Sequence, residues 1–174
     1  MTAPAPAGLA RRLGAAVYEA LLLVALLFVA SFALLPLLTP GHAGAATSLV
    51  IPELAVRVML FCALFSIAAA YCVWCWSNGR RTLPMKTWRL TLVTAQGATP
   101  TPQRALARYI AAWTGPALAL AAYVALRPVG LGAYALWLLA FNFLWAFIDR
   151  DRLFLHDRIA GTQLVVPARQ DSTA

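Results

Sequence analysis

Long apolar runs are the feature that most limits what this chain can fold into. The 174-residue sequence contains four of them, at residues 13–38, 54–76, 109–126 and 129–148. A bilayer core about 30 Å thick is crossed by a helix of about 20 apolar residues. Only 11% of the residues are charged, against roughly 25% in an ordinary soluble domain. The pattern therefore predicts a membrane protein and argues against a water-soluble globule.

The last two runs form one apolar region that is too long for a single span. Arg127-Pro128, followed by Gly130 and Gly132, divides this region with residues that favour turns. We expect a helical hairpin here, with Pro116 kinking its first helix. The predicted fold is an all-α membrane protein with four transmembrane helices, in one domain over residues 1–174.

The positive charges predict the orientation of these spans. Twelve of the fourteen lysines and arginines lie before the first span, in the middle loop (77–108) or in the tail (149–174), whereas Arg57 and Arg127 lie near the other two connections. Because positively charged loops stay in the cytoplasm, we expect both termini and the middle loop to be cytoplasmic in a bacterial inner membrane. Anionic lipids are the expected partner. Nucleic-acid binding is not expected, since no binding module is recognisable.

Short elements are predicted outside the spans. Residues 88–92 alternate apolar and polar side chains as a strand does, and 162–166 form a second strand candidate. An isolated strand leaves backbone groups unpaired, so we expect the two to pair as a small cytoplasmic β-hairpin. Residues 149–159 favour a helix at the membrane interface that Gly161 ends. Ser77-Asn78-Gly79 is expected to end the second span in the left-handed conformation.

Glu19 is the polar residue that hydropathy explains least. It lies in the first span, seven residues after Arg12, which places it about 10 Å deeper and nearly on the same helix face. A carboxylate at that depth is expected to face the bundle interior, a wet cavity or a cation. Two interpretations stay open: Glu19 binds a proton or cation, or it is a structural anchor paired with an arginine.

Other polar residues near the spans invite a functional and a structural interpretation. His156 beside Asp157 forms a pH-responsive pair or part of a solvated helix face. Asn142, in the fourth span, forms a hydrogen bond between helices or contacts a substrate. Cys72 and Cys75 form a C-x-x-C without a second pair, so we interpret them as packing residues and expect neither a metal nor a cofactor. Because common catalytic motifs are absent, we do not expect an enzyme; the alternative is a membrane enzyme that uses His156 and Asp157 at the interface.

Two segments resemble the bacterial RDD membrane proteins, a family named for one arginine and two aspartates. In residues 12–19, an arginine opens the first span, a small residue follows three positions later and an acid seven positions later. That acid, Glu19, stands in place of the family's first aspartate. The segment Leu155-His156-Asp157-Arg158-Ile159-Ala160-Gly161-Thr162 matches the family's L-H-D-R-[IL]-A-G-T string and is the most specific part of the likeness.

Two weaker segments extend the resemblance over most of the chain. Residues 79–86 are similar to a degenerate G-x-T-x-G-K segment, with Lys86 retained and Pro84-Met85 where a glycine is expected. Residues 104–109 resemble the basic start of the family's third span, with Arg108 one helical turn after Arg104.

The resemblance implies a role in transport, with sodium–proton antiport attributed to some members. In that hypothesis Glu19 binds the cation or proton, while Arg12 and Asp157 set its affinity and gate access. We expect Asp157 to meet Arg12 beneath the first span. Four short spans enclose little pathway, so a transporter would need a homo-oligomer. The supporting residues are His156, Asn142, Arg108 and Lys86. The alternative is a membrane adaptor without transport, in which the cluster of arginine and acids is structural.

Overall fold

Three apolar helices long enough to cross a membrane organise the chain. The computed structural model describes residues 6–38 and 53–167. In that part of the chain the membrane-length helices are Leu9–Leu38, Leu54–Trp76 and Pro102–Val129. We call the first two α1 and α2. The predicted bounds of the second span are confirmed, whereas α1 begins four residues before its predicted start and includes Arg12.

The third membrane-length helix begins earlier than predicted and bends. It consists of α4 (Pro102–Ala112) and α5 (Thr114–Leu126), joined at Trp113. The Thr101 hydroxyl accepts a hydrogen bond from the backbone N–H of Arg104, 3.4 Å away, and Pro102 occupies the first turn. This N-cap starts the helix within the predicted middle loop.

Pro116 explains the bend at Trp113. A proline has no N–H, so it cannot bond the carbonyl four residues earlier, which is that of Ala112. The side-chain amide of Asn142 donates to this carbonyl instead, at 3.1 Å. The neighbouring carbonyl of Ala111 accepts from the Thr114 hydroxyl at 2.7 Å. Side chains therefore satisfy the backbone that the bend releases.

The predicted fourth span is not a regular α-helix. Gly132–Ala140 and Trp145–Phe147 are 3₁₀-helical, and only α6 (Phe141–Leu144) between them is α-helical. The expected hairpin with α5 does form, turning at Gly130, whose φ is +75°. Its two arms pack closely, since a Cβ on Gly115 would lie 2.8 Å from the carbonyl oxygen of Leu139. A count of four membrane-length α-helices is therefore not confirmed.

A two-stranded antiparallel sheet ties together distant parts of the chain. Strand β1 (Thr91–Thr94) pairs with β2 (Thr162–Val165), placing Leu92 opposite Leu164. The predicted pairing is confirmed, but the predicted hairpin is wrong because α4, α5 and α6 lie between the strands in sequence. The N-terminal segment joins the sheet, since the Ala7 N–H donates to the Leu164 carbonyl at 2.8 Å.

The first strand starts later than predicted because a short helix precedes it. Helix α3 (Leu83–Thr87) is capped by Thr82, whose hydroxyl accepts from the Met85 N–H at 3.3 Å. Arg89 then turns the chain with a φ of +51°. Residues predicted to open the strand at 88–90 are used in this turn.

The helix that follows the last apolar region is also shorter than predicted. The Asp149 carboxylate accepts from the N–H groups of Asp151 and Leu153, at 3.1 and 3.0 Å, and holds a turn. Helix α7 therefore covers only Leu155–Ala160, instead of 149–159. Gly161, with φ +61°, ends it as expected. The end of the predicted tail, 168–174, lies outside the described residues.

The buried core lies around the sheet, and the long helices expose their apolar side chains. Leu90, Leu92 and Phe154 are fully buried at this sheet end of the molecule. Along α1, by contrast, Phe28 and Phe32 are 62% and 68% exposed. An apolar surface of this extent is typical of contact with lipid. The left-handed Asn78 and Gly79 end α2 on the side of the core, as expected.

Candidate functional site

Polar side chains converge at the sheet end, where α1, α2, α4 and α7 meet. They come from five separate stretches of sequence, and most are buried. We call this group the polar cluster; its members are Arg12, Glu19, Thr82, Arg108, Asn142, His156, Asp157 and Thr162.

A buried ion pair between Arg108 and Asp157 is the centre of the polar cluster. Nη1 of Arg108 contacts Oδ1 of Asp157, and the two side chains are 4% and 0% exposed. The Thr162 hydroxyl donates to the same Oδ1 at 3.2 Å and accepts from Nη1 of Arg108 at 3.2 Å. The guanidinium also stacks over Trp76, 4.9 Å from the ring centre. The pair thus joins α2, α4, α7 and β2.

Glu19 lies beside this pair with half of its carboxylate unpaired. Oε2 accepts a hydrogen bond from the Thr82 hydroxyl at 3.3 Å. Oε1 is buried without a well-formed hydrogen bond, although the indole N–H of Trp76 lies close enough to the carboxylate to act as a donor. Arg108 is the charged side chain that interacts electrostatically with Glu19. One arginine is therefore shared by two acids, one in the first apolar helix and one in α7.

Arg12 is buried but serves a different part of the site. Its Nη2 donates to the Arg152 carbonyl at 2.6 Å, and its guanidinium lies 5.0 Å from the ring centre of Phe154. Asp149 is the acid that interacts with it electrostatically. Arg12 thereby ties the start of α1 to the turn before α7. The expectation that Asp157 meets Arg12 is wrong: Asp157 pairs with Arg108, because α7 packs on α4.

His156 and Asn142 connect the polar cluster to the bend in the third helix. Oδ1 of Asn142 accepts from the backbone N–H of His156 and lies 3.0 Å from its Nδ1. Because an amide oxygen only accepts hydrogen bonds, Nδ1 must carry the proton in the neutral ring. Nε2 then presents its lone pair toward Oδ2 of Asp157, 3.8 Å away. The Asn142 amide satisfies both His156 and the freed carbonyl of Ala112.

His156 is held in its neutral form. Burial, and after it the positive charges of Arg108 and Arg12, lower the pKa of His156 well below 6.5. An imidazolium would add a third cation to a site with two buried arginines. In the native protein this histidine is therefore a hydrogen-bond partner for Asn142 at neutral pH.

Residues 6–161 match the RDD family, so the match spans most of the chain. The chain belongs to the RDD family. RDD proteins are membrane proteins, in agreement with the three apolar helices. No curated protein and no solved structure matches the chain.

The polar cluster of this RDD protein contains most of the residues singled out from the sequence. Arg12, Glu19 and Asp157 all lie in it. Arg108 links the two acids, whereas Arg12 contacts the Arg152 carbonyl and the Phe154 ring. Lys86, by contrast, is exposed in the last turn of α3. Thr82 and Thr162 make contacts that sequence reasoning missed, although both lie in segments that resemble family motifs.

The C-x-x-C of this RDD protein lies near Glu19. Cys72 and Cys75 are close enough to Glu19 to interact electrostatically, as is Tyr71. Within the described ranges, no group of three or more His, Cys, Asp or Glu side chains is placed to hold a metal ion. Cys72 instead packs in the core at 1% exposure.

Proposed function

We propose that this RDD protein moves a proton or cation across a bacterial inner membrane, and that Glu19 is the carboxylate that binds it. The observation that carries the proposal is the unpaired, buried Oε1 of Glu19 inside an apolar helix. A carboxylate with a purely structural role would be expected to use both oxygens in hydrogen bonds or ion pairs. The free oxygen of Glu19 is available to bind a proton or cation.

The other members of the polar cluster have supporting roles in this proposal. Asp157 fixes the position of Arg108, and Arg108 stabilises the Glu19 carboxylate when its site is empty. Arg12 holds the turn before α7 against α1, and in this proposal it gates access to Glu19. Asn142 and His156 keep the bent third helix in register with α7.

The proposed function includes a topology. We propose that the sheet end faces the cytoplasm, with anionic lipids around its arginines, because positive charges concentrate there. Gly132–Phe147 would be the fourth crossing. With the 3₁₀ rise of about 2.0 Å per residue, this segment extends about 30 Å, which is the thickness of a bilayer core. A homo-oligomer would supply a longer pathway than one bundle of this size.

The proposal is tested by flux measurements in proteoliposomes. An imposed cation or pH gradient should drive proton movement in the wild type, and Glu19→Gln should abolish it because the neutral amide cannot exchange a proton. Glu53→Gln is the matched control, since Glu53 is the exposed glutamate immediately before α2. Flux in Glu19→Gln equal to the wild type would refute the site, and wild-type vesicles without flux would refute transport.

A second candidate function is a membrane adaptor in which the polar cluster is structural. The observation that favours it is the closed arrangement of Arg108, Asp157 and Thr162, which leaves Oδ1 of Asp157 no room for an ion. In that case neither the wild type nor Glu19→Gln should show flux in proteoliposomes. Glu19→Gln should instead lower thermal stability together with Asp157→Asn, and the two effects should be non-additive because both acids act on Arg108.

A further inference from the structure

The surroundings of Glu19 consist mainly of hydrogen-bond donors. The Thr82 hydroxyl donates to Oε2, and its own oxygen already accepts from the Met85 N–H. The buried indole Nε1 of Trp76 lies close enough to the Glu19 carboxylate to act as a donor, and Nε of Arg108 is buried without a partner. Indole and guanidinium N–H groups only donate. The indole and guanidinium groups stabilise a negative carboxylate and cannot coordinate a metal cation.

Ligands for sodium are scarce at this position. In transporters, sodium ions are bound by carbonyl groups of unwound backbone and by helix C-terminal ends. Helix α1 is continuous through Glu19, and the neighbouring α2 is also continuous. The described chain does release carbonyls at the bend before α5, but Asn142 and Thr114 take them. Thiols such as those of Cys72 and Cys75 are soft ligands that suit other metals.

Positive charge near Glu19 is already supplied by the protein. Arg108 interacts with the Glu19 carboxylate, and it is held in place by Asp157 and Thr162. A sodium ion at Oε1 would therefore meet a fixed cation, whereas a proton bound to Oε1 adds a neutral O–H. The remaining titratable groups that interact with Glu19 come from α2; they are Tyr71, Cys72 and Cys75.

We infer that the Glu19 site takes a proton and excludes sodium, with the Arg108 guanidinium as its resident counter-cation. This inference rests on the proposed role of Glu19 as the ion-binding carboxylate and specifies its ligand. Arg108 is then the specificity-determining residue: it stabilises the empty, charged form of the site and repels a metal ion that would compete with the proton.

The experiment uses a reaction that reports bound protons without requiring transport. Dicyclohexylcarbodiimide adds to protonated carboxyl groups in apolar surroundings, and peptide mass spectrometry locates the product. In purified full-length protein, Glu19 should be labelled as pH falls, and replacing choline by sodium should leave that labelling unchanged. Glu53 is exposed, so it should gain little product at any pH and is the internal negative control. A bound sodium ion at a hundred times its Kd would reduce the labelling about a hundredfold.

Three results would overturn the inference. Sodium-dependent protection of Glu19, with Glu53 unaffected, would show that sodium binds. Absence of Glu19 labelling at every pH would show that it takes no proton. In the folded double variant Arg108→Gln with Asp157→Asn, sodium should protect Glu19 from labelling. If it does not, Arg108 is not the group that excludes sodium. Vesicles without flux would refute only transport, because labelling is read in the absence of a gradient.

Discussion

The Arg108–Asp157 pair gives the sharpest test of how the sheet end is held together. Asp157 is fully buried and its Oδ1 receives both the Arg108 guanidinium and the Thr162 hydroxyl. Asp157→Asn keeps the size and one acceptor oxygen but removes the carboxylate that contacts Arg108. Glu19, which forms no direct ion pair with Arg108, is then the remaining acid near this buried cation. Removing one partner of a buried pair destabilises a protein by about 3–5 kcal/mol. Because the amide oxygen still accepts a hydrogen bond, we expect about 3 kcal/mol.

A second ion pair in the same region supplies the control. Asp151 pairs with Arg158 at 2.7 Å, and both side chains are about half exposed, at 54% and 51%. Exposed pairs contribute roughly 0–1 kcal/mol. Asp151→Asn should therefore change the free energy of unfolding by about 1 kcal/mol or less, although the chemical change is the same.

The assay is denaturant unfolding in detergent micelles, followed by the fluorescence of the six tryptophans. The double variant Arg108→Met with Asp157→Asn should be more stable than the sum of the single effects predicts, by about 1–3 kcal/mol, since it leaves no unpaired charge in the pair. Equal effects of Asp157→Asn and Asp151→Asn, or additive effects in the double variant, would refute a stabilising role for the buried pair between α4 and α7.

Three further outcomes are expected. The free energy of unfolding should fall as pH drops below about 6.5, by about 1.4 kcal/mol per pH unit, because the unfolded chain then binds a proton that native His156 does not. The variant His156→Gln should lose this pH dependence. An unchanged slope in that variant would contradict a neutral buried histidine. Gly115→Ala should destabilise by about 1–3 kcal/mol, because its Cβ would meet the Leu139 carbonyl. Gly8→Ala has open space around it and changes only the residue that precedes α1, so it should cost less in the same unfolding titration, about 1 kcal/mol or below. Asn142→Leu should lower stability by about 2–4 kcal/mol, since it leaves His156 and a backbone carbonyl without partners, and a thermal shift no larger than that of Gly8→Ala would argue against this role.

Local signals in the sequence were sufficient for several elements of the fold. The end of α2 follows from Asn78 and Gly79, which both adopt the left-handed conformation. Glycine adopts it freely because it has no Cβ, and asparagine tolerates it. Gly161 ends α7 for the same reason. The strand near residue 90 was displaced because Thr82 caps a short helix that alternation of polar and apolar residues does not reveal. Helix ends and turns of this kind can be predicted from sequence because they depend on residues that are adjacent in the chain.

Some features of the membrane helices were also predictable from the sequence, and others were not. Length and hydropathy determined α1 and α2, because a continuous apolar helix is the form that satisfies its own backbone in lipid. They did not determine the 3₁₀ winding of Gly132–Ala140. The bend at Pro116 was predictable from the missing N–H, but the residue that satisfies the freed carbonyl was not, since Asn142 follows thirty residues later.

The sequence by itself determined that this is a membrane protein of RDD type with acids near its apolar helices. Hydropathy and motif resemblance led to Glu19, Asp157 and Arg12, because polar groups within or beside apolar segments are few. Only the tertiary structure decided that Arg108 is the arginine these acids share. Arg104 and Arg108 lie one helical turn apart and have the same charge, so no local pattern distinguishes them. The packing of α7 against α4 buries one next to Asp157 and leaves the other exposed, and burial is what makes that charge important.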